Sequence, residues 1–203
     1  MQTNITSSPI VSCEVDRLLI HNHEQTKIKL LNLIEDIYKS NINYNTEHHA
    51  ELWQSPPGLQ TVTSFEMFCE SSEMRTYSEL LINRYKIKPT HTIAVTNLWV
   101  SITPPGSLKM PKRYTNAIAT GTYFLQTPKE NASINFKKPI PQEWYKKVED
   151  PFNRTEWNSV ETQLAMEEGY MYIWPSYLET YTTTNVSDNP RISIDFTLDV
   201  VHK

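Results

Sequence analysis

The sequence predicts an α+β fold in which helices come first and a β-sandwich or jelly roll follows. Helical spacing of apolar residues lies in the stretch before residue 90, in two separate runs. From Thr90 onward, short runs rich in branched and aromatic residues take over, divided by turn residues. Helices grouped ahead of strands, rather than alternating with them, point to α+β rather than to a parallel sheet.

The first helix is expected from about Glu24 to Ser40, where Ile28, Leu31, Ile34 and Tyr38 recur every three or four residues. A polar stretch from Asn41 to His49 follows, and Trp53-Gln54-Ser55-Pro56-Pro57-Gly58 reads as a loop. The second helix is expected over Glu73 to Tyr85, through Met74, Tyr77, Leu80, Leu81 and Tyr85. Strands are expected at Thr92–Ile102, Ala117–Leu125, Ser133–Phe136, Tyr170–Trp174, Tyr181–Thr184 and Arg191–Val201. The last alternates: Ile192, Ile194, Phe196 and Leu198 share one side, and Ser193, Asp195, Thr197 and Asp199 the other, which fits a strand with one buried face. Residues 131–160 form a long polar excursion, read as an insertion. Residues 1–89 are expected to be the N-terminal helical part, and 90–203 the jelly-roll β part, of the same domain.

Composition excludes several classes. With 5 Trp, 11 Tyr and 6 Phe in 203 residues, the chain can bury enough ring area to fold. No run approaches the roughly 18 apolar residues of a membrane span, and the mean hydropathy is -0.51. The formal net charge of -4 argues against direct nucleic-acid binding, which needs a basic face. Only 4 glycines are present, and no GxGxxG, GxxxxGK[ST] or GxSxG motif occurs, so phosphate-cradling loops and the serine-hydrolase elbow are disfavoured. Cys13 and Cys69 have no CxxC spacing and read as reduced thiols. The N-terminal stretch has neither a basic n-region nor an apolar h-region, so secretion by a signal peptide is not expected.

Several segments, taken in order, resemble one family. Trp99-Val100 leads to Pro105-Gly106, then to Thr120-Gly121-Thr122-Tyr123-Phe124-Leu125, Glu168-Gly169-Tyr170, Trp174-Pro175-Ser176-Tyr177-Leu178 and Arg191-Ile192-Ser193-Ile194-Asp195-Phe196. This series is similar to that of the 2-oxoglutarate–iron(II) oxygenases with a Ser-Gly-Val-Tyr-Tyr strand, a Phe-Pro-Ser-Trp-Leu strand and an Arg-Ile-Ser-Ile-Ser-Phe finish. The resemblance implies a double-stranded β-helix (a cupin-like jelly roll) with N-terminal helices packed on one side. It also implies iron held by a His-x-His-Pro segment and a distal histidine. Those places here hold Lys112 and Tyr114, with Glu179-Thr180-Tyr181 at the distal position.

A lysine ammonium cannot coordinate without losing its proton, and neutral tyrosine and threonine hydroxyls are poor ligands for iron(II). Lys112, Tyr114, Thr180 and Glu179 are therefore read as degenerate metal-site positions, and no cofactor is expected. Lys112 either pairs with Glu179 or stands exposed on its loop. Arg191 and Ser193 keep the positions that grip the distal carboxylate of 2-oxoglutarate in the family; otherwise Arg191 pairs with Asp188, Asp195 or solvent. Tyr170, Tyr172 and Trp174 share one side of a strand, as pocket lining or as core or interface. The clusters His21-Asn22-His23-Glu24 and Glu47-His48-His49 with Glu51 read as solvated unless a further ligand arrives from elsewhere.

The functional expectation is a non-catalytic protein with this fold, reused for binding or assembly, such as a phage neck, tail or capsid-associated component. Protein partners in an oligomer or larger assembly, no membrane, and a host-cytoplasmic or virion location go with it. The alternative is an active iron(II)/2-oxoglutarate hydroxylase with displaced ligands, for example His91 with Glu179 and an N-terminal histidine.

Overall fold

A computed structural model describes residues 14–41, 52–128, 132–139 and 161–203. The Glu47-His48-His49-Glu51 cluster, Cys13 and most of the 131–160 excursion lie outside the described residues. In chain order the elements are β1 (Asp16–Leu19), α1 (His23–Ser40), β2 (Trp53–Gln54), α2 (Thr63–Cys69), α3 (Ser72–Tyr85), β3 (His91–Thr103), β4 (Ala119–Gln126), β5 (Ser133–Lys137), β6 (Glu161–Ala165), β7 (Tyr170–Pro175), β8 (Glu179–Thr182) and β9 (Arg191–His202). Among the described residues, no helix is long and apolar enough to cross a membrane.

Two antiparallel sheets form, a larger one ordered β1-β7-β4-β9-β3-β2 and a smaller one ordered β6-β5-β8. The long β3 and β9 run side by side from His91↔His202 to Thr103↔Arg191, with a bulge at Thr96. The period-2 rule sorts their residues. One face of the large sheet carries Leu98, Val100, Tyr123, Met171, Ile173, Ile194, Phe196 and Leu198 against Leu30, Ile34, Phe65, Phe68, Met74 and Leu81 of the helices. The opposite face sets Phe124, Tyr172 and Trp174 against Ile134 and Phe136 of the small sheet. The helices thus cover one side, and the space between the sheets is the jelly-roll interior.

The expected helices and strands occur, with instructive differences. β8 begins two residues earlier than Tyr181 because Glu179 and Thr180 pair with Lys137 and Phe136 of β5. The strands β1 and β2 lie in the part expected to be helical. Only pairing with β7 and β3 makes them strands, so neither has a pattern of its own. The α2 helix and β6 also lack a periodic signature of usable length. The one-buried-face reading of β9 is corrected: Arg191 through Leu198 are all buried, because its polar side faces the small sheet rather than water.

Candidate functional site

The segment between β3 and β4 closes one end of the jelly roll by lying along β8. Lys112 N donates to Thr180 O (2.9 Å), and Thr180 N returns a bond to Lys112 O (3.0 Å). Lys109 N donates to Thr182 Oγ1 at 2.9 Å, and Tyr114 N to Ser176 O at 3.1 Å. This register brings Lys112, Tyr114 and Thr180 around one narrow cavity of about 40 Å³. Its walls also include Lys109, Thr120, Thr122, Phe124, Trp174 and Asp195.

The inner wall is polar and tightly bonded. Lys109 Nζ lies 2.8 and 2.7 Å from the two oxygens of Asp195 and 2.8 Å from Ser193 Oγ. Asp195 also accepts from Ser101 Oγ at 2.5 Å and from Thr122 Oγ1. Ser101 Oγ in turn accepts from Gln54 Nε2 at 3.1 Å, which ties β2 into the network. Both ions are largely withdrawn from water, with 18% and 9% of their side chains exposed. Burial drives the Lys109 ammonium below the usual lysine range, opposed by Asp195.

Arg191 is buried but is not aimed at a carboxylate. Its Nη2 donates to Thr182 Oγ1 (2.8 Å) and Thr183 O (3.2 Å), and Nη1 lies 3.6 Å from Met166 Sδ. Burial pulls its pKa down to about 10 against the pull of Asp195. Ser193 is engaged by Lys109 rather than by Arg191. Lys112 does not pair with Glu179: it is exposed, with its ammonium 5.4 Å from the Tyr114 ring centre. Glu179 is held by Lys137 and, at 3.4 Å, by Arg113. Among the described residues, Trp174 Nε1 and Arg191 Nε at this end are buried N–H groups with no acceptor. Tyr172 and Trp174 belong to the core between the sheets, and Trp174 lines the cavity as well.

Sequence reasoning missed Lys109 and Asp195. A signal for Asp195 existed: it lies two residues beyond Ser193, hence on the same face, where the family motif has serine. Lys109 carried none, because its role depends on how an irregular segment folds back.

The histidines go elsewhere. His91 packs against His202, with ring centres 5.2 Å apart, at the end of β3 and β9 remote from Thr103 and Arg191, so it does not join Glu179. His23 is not solvated. Its Nδ1 lies 2.7 Å from Tyr123 Oη, and its Nε2 3.4 Å from Glu168 Oε1. Glu168 supplies the ligand from elsewhere that the N-terminal cluster needed: His23, Glu24 and Glu168 offer three ligand atoms within 4.8 Å of one another. Lys27 also pairs with Glu168. Because Tyr123 points to the helix side and Thr122 to Asp195, this group lies across the large sheet from the cavity. At the end of α2, burial raises the Cys69 thiol to about 12, so it is no nucleophile at neutral pH.

Residues 97–197 match the family model described as "Putative 2OG-Fe(II) oxygenase". A comparison with the curated proteins finds none similar in sequence. Among solved structures, a prolyl-4-hydroxylase of Pseudomonas putida is 10% identical with a TM-score of 0.58, covering 91% of each chain. SnoN, a non-heme alpha-ketoglutarate-dependent epimerase of nogalamycin biosynthesis, is 12% identical with a TM-score of 0.61, covering 93% of this chain and 80% of its own. HygX of Streptomyces hygroscopicus, with nickel and 2-oxoglutarate bound, is 7% identical with a TM-score of 0.60, covering 91% of this chain and 82% of its own. At these identities the likeness shows a shared fold.

These findings correct the expectation that no cofactor belongs with the chain. The matching family is one of iron and 2-oxoglutarate, SnoN is known with Fe3+ and alpha-ketoglutarate, HygX with nickel and 2-oxoglutarate, and this chain has its own His-Glu-Glu group able to hold a metal. At the jelly-roll cavity, however, the side chains do not fit ferrous iron: an ammonium, a phenol and a hydroxyl stand there, and the nearby carboxylate is engaged by Lys109.

Proposed function

We propose that this chain, whose residues 97–197 match the 2OG-Fe(II) oxygenase family model, uses that family's jelly roll for binding rather than for hydroxylation. One observation carries this reading. The cavity at the end of the barrel is lined by Lys112, Tyr114 and Thr180, and its carboxylate, Asp195, is taken up by Lys109. Iron(II) oxygen chemistry needs neutral imidazole and free carboxylate donors with open positions beside them. Here the donors are replaced by groups that give protons to hydrogen bonds or carry positive charge. Such a lining favours an anion, and the rigid strands around it make a preorganised receptor.

Binding of 2-oxoglutarate, or of a metal at His23-Glu24-Glu168, is compatible with this reading; coupled turnover is not. The purified chain, supplied with iron(II), ascorbate and 2-oxoglutarate, is assayed for succinate. The expected result is no succinate beyond that from heat-denatured protein. Succinate formed by the wild type, and lost in Thr180→Ala, overturns the proposal.

A further inference from the structure

We infer that His23, Glu24 and Glu168 form a binding site for a divalent transition ion of the zinc kind, with Lys27 as the resident cation that gives way to it. This group lies across the large sheet from the barrel cavity, so the site is independent of what the barrel binds. The donors are one imidazole and two carboxylates, and their ligand atoms lie within 4.8 Å of one another. His23 and Glu24 open α1, and Glu168 lies just ahead of β7. Imidazole with carboxylates suits zinc, iron(II) or nickel, whereas magnesium takes oxygen donors and keeps much of its water. Two donors around a tetrahedral zinc stand about 3.4 Å apart. His23 Nε2 and Glu168 Oε1 already stand 3.4 Å apart. Glu24 is exposed, and among the described residues it makes no hydrogen bond or ion pair, so its carboxylate can swing in as the third donor.

The second observation is how His23 is held. Only 12% of its side chain is exposed, and its Nδ1 lies 2.7 Å from Tyr123 Oη. Burial, and then the charges of Glu168, Glu24 and Glu73, raise the Tyr123 phenol above its ordinary value, so it stays neutral. Its oxygen can then accept the Nδ1 proton, which leaves the Nε2 lone pair for a metal. Gly169, beside Glu168, makes room for the ring: a Cβ there would stand 3.2 Å from His23 Cγ. Glu168 is oriented in the same way, because Thr127 N donates to its Oε2 at 3.0 Å and Oε1 is left to His23 and Lys27.

Charge supplies the third argument. Within this group two carboxylates face one ammonium, and Lys27 matches Glu168 alone. A divalent ion matches both carboxylates at once. The Lys27 side chain is 21% exposed and long enough to turn its ammonium out to water as the ion enters. Bound there, the ion joins the start of α1 to the turn before β7.

The metal-stripped full chain is titrated calorimetrically with zinc chloride, and separately with magnesium chloride, near neutral pH. Saturable zinc binding is expected, with none by magnesium. Glu24→Gln, at an exposed position outside the apolar layer, should weaken zinc binding about tenfold or more. Lys27→Met should tighten it, because no ammonium competes for Glu168. A chain that takes up no zinc overturns the inference, and so does zinc affinity left unchanged by Glu24→Gln, since the ion is then adventitious at other histidines. Zinc binding that Lys27→Met fails to tighten removes Lys27 as the resident cation. The barrel's binding reading falls separately, to succinate formation in the turnover assay.

Discussion

The two faces of the large sheet are both buried, yet they are held by different physics. On β9, Ile192, Ile194, Phe196 and Leu198 enter the apolar layer under the helices, while Arg191, Ser193, Asp195 and Thr197 enter the barrel. The helix side gains stability from area removed from water, which is non-directional and tolerant of exchange. The barrel side depends on partners: a buried polar group there costs free energy wherever its donors and acceptors are not met, as at Trp174 Nε1 and Arg191 Nε. A site can be rebuilt on the second face by changing charges in pairs, as at Lys109 and Asp195, without disturbing the first.

The sharpest way to break this comparison is one large substitution on each face. Phe196→Ala should cost about 3–5 kcal/mol, as a cavity under α2. Lys109→Met should cost a similar amount, about 3–5 kcal/mol, because Asp195 is left charged and buried. The two differ in rescue. Adding Asp195→Asn to Lys109→Met should recover most of the loss, because the pair is then removed together. Urea unfolding of the singles and the double checks this. Costs that simply add would show that Lys109 and Asp195 are not energetically linked.

A smaller effect tests how tightly the faces are pressed together through β4. A Cβ on Gly121 would run into the Phe196 ring and sit 2.9 Å from Tyr172 O. Gly121→Ala should therefore destabilise by about 1–3 kcal/mol, the usual range for overpacking. Phe196→Leu in the same chain should return part of that cost by clearing the ring. If Gly121→Ala alone is neutral in urea unfolding, the apolar face is looser than the packing indicates.

The apolar face was the legible one. Alternation at Ile192 through Leu198 states their burial directly, and helical spacing finds the buried Ile34, although Ile28 of the same stripe is 64% exposed and Leu31 only half-buried. The polar face was legible only where the family motif pointed, to Lys112, Tyr114, Thr180, Arg191 and Ser193, and the motif could place residues without giving their partners. Asp195 looked like a solvent position because alternation alone cannot tell water from the interior of a barrel. Lys109 was hidden because an irregular segment carries no period, and Glu168 joins His23 only through tertiary contact across 145 residues. Strands β1 and β2 were missed for the same reason.

The mildest prediction concerns the helix side, where ionic ties stand at the margins of the apolar layer. Asp16 joins β1 to α3 through Arg84 Nη1 and Tyr77 Oη, each at 2.8 Å. Glu168 joins the start of β7 to α1 through Lys27 and His23 and also accepts from Thr127 N at 3.0 Å. Burial tends to raise both carboxyls, but the Arg84 and Tyr77 bonds at Asp16, and the Lys27, Thr127 and His23 bonds at Glu168, outweigh it and hold each below its ordinary value. A carboxyl lowered in the folded state stabilises fully above the unfolded value near 4, and that contribution is lost as pH falls through the folded value. Stability should therefore fall on acidification below about pH 4. Asp16→Asn and Glu168→Gln should each flatten that acid limb while leaving the Lys109–Asp195 network untouched, a small effect because both groups are partly exposed. Urea midpoints measured for each variant across the acid range decide it: an acid limb as steep in the double variant as in the wild type would place the proton-sensitive groups on the barrel face instead.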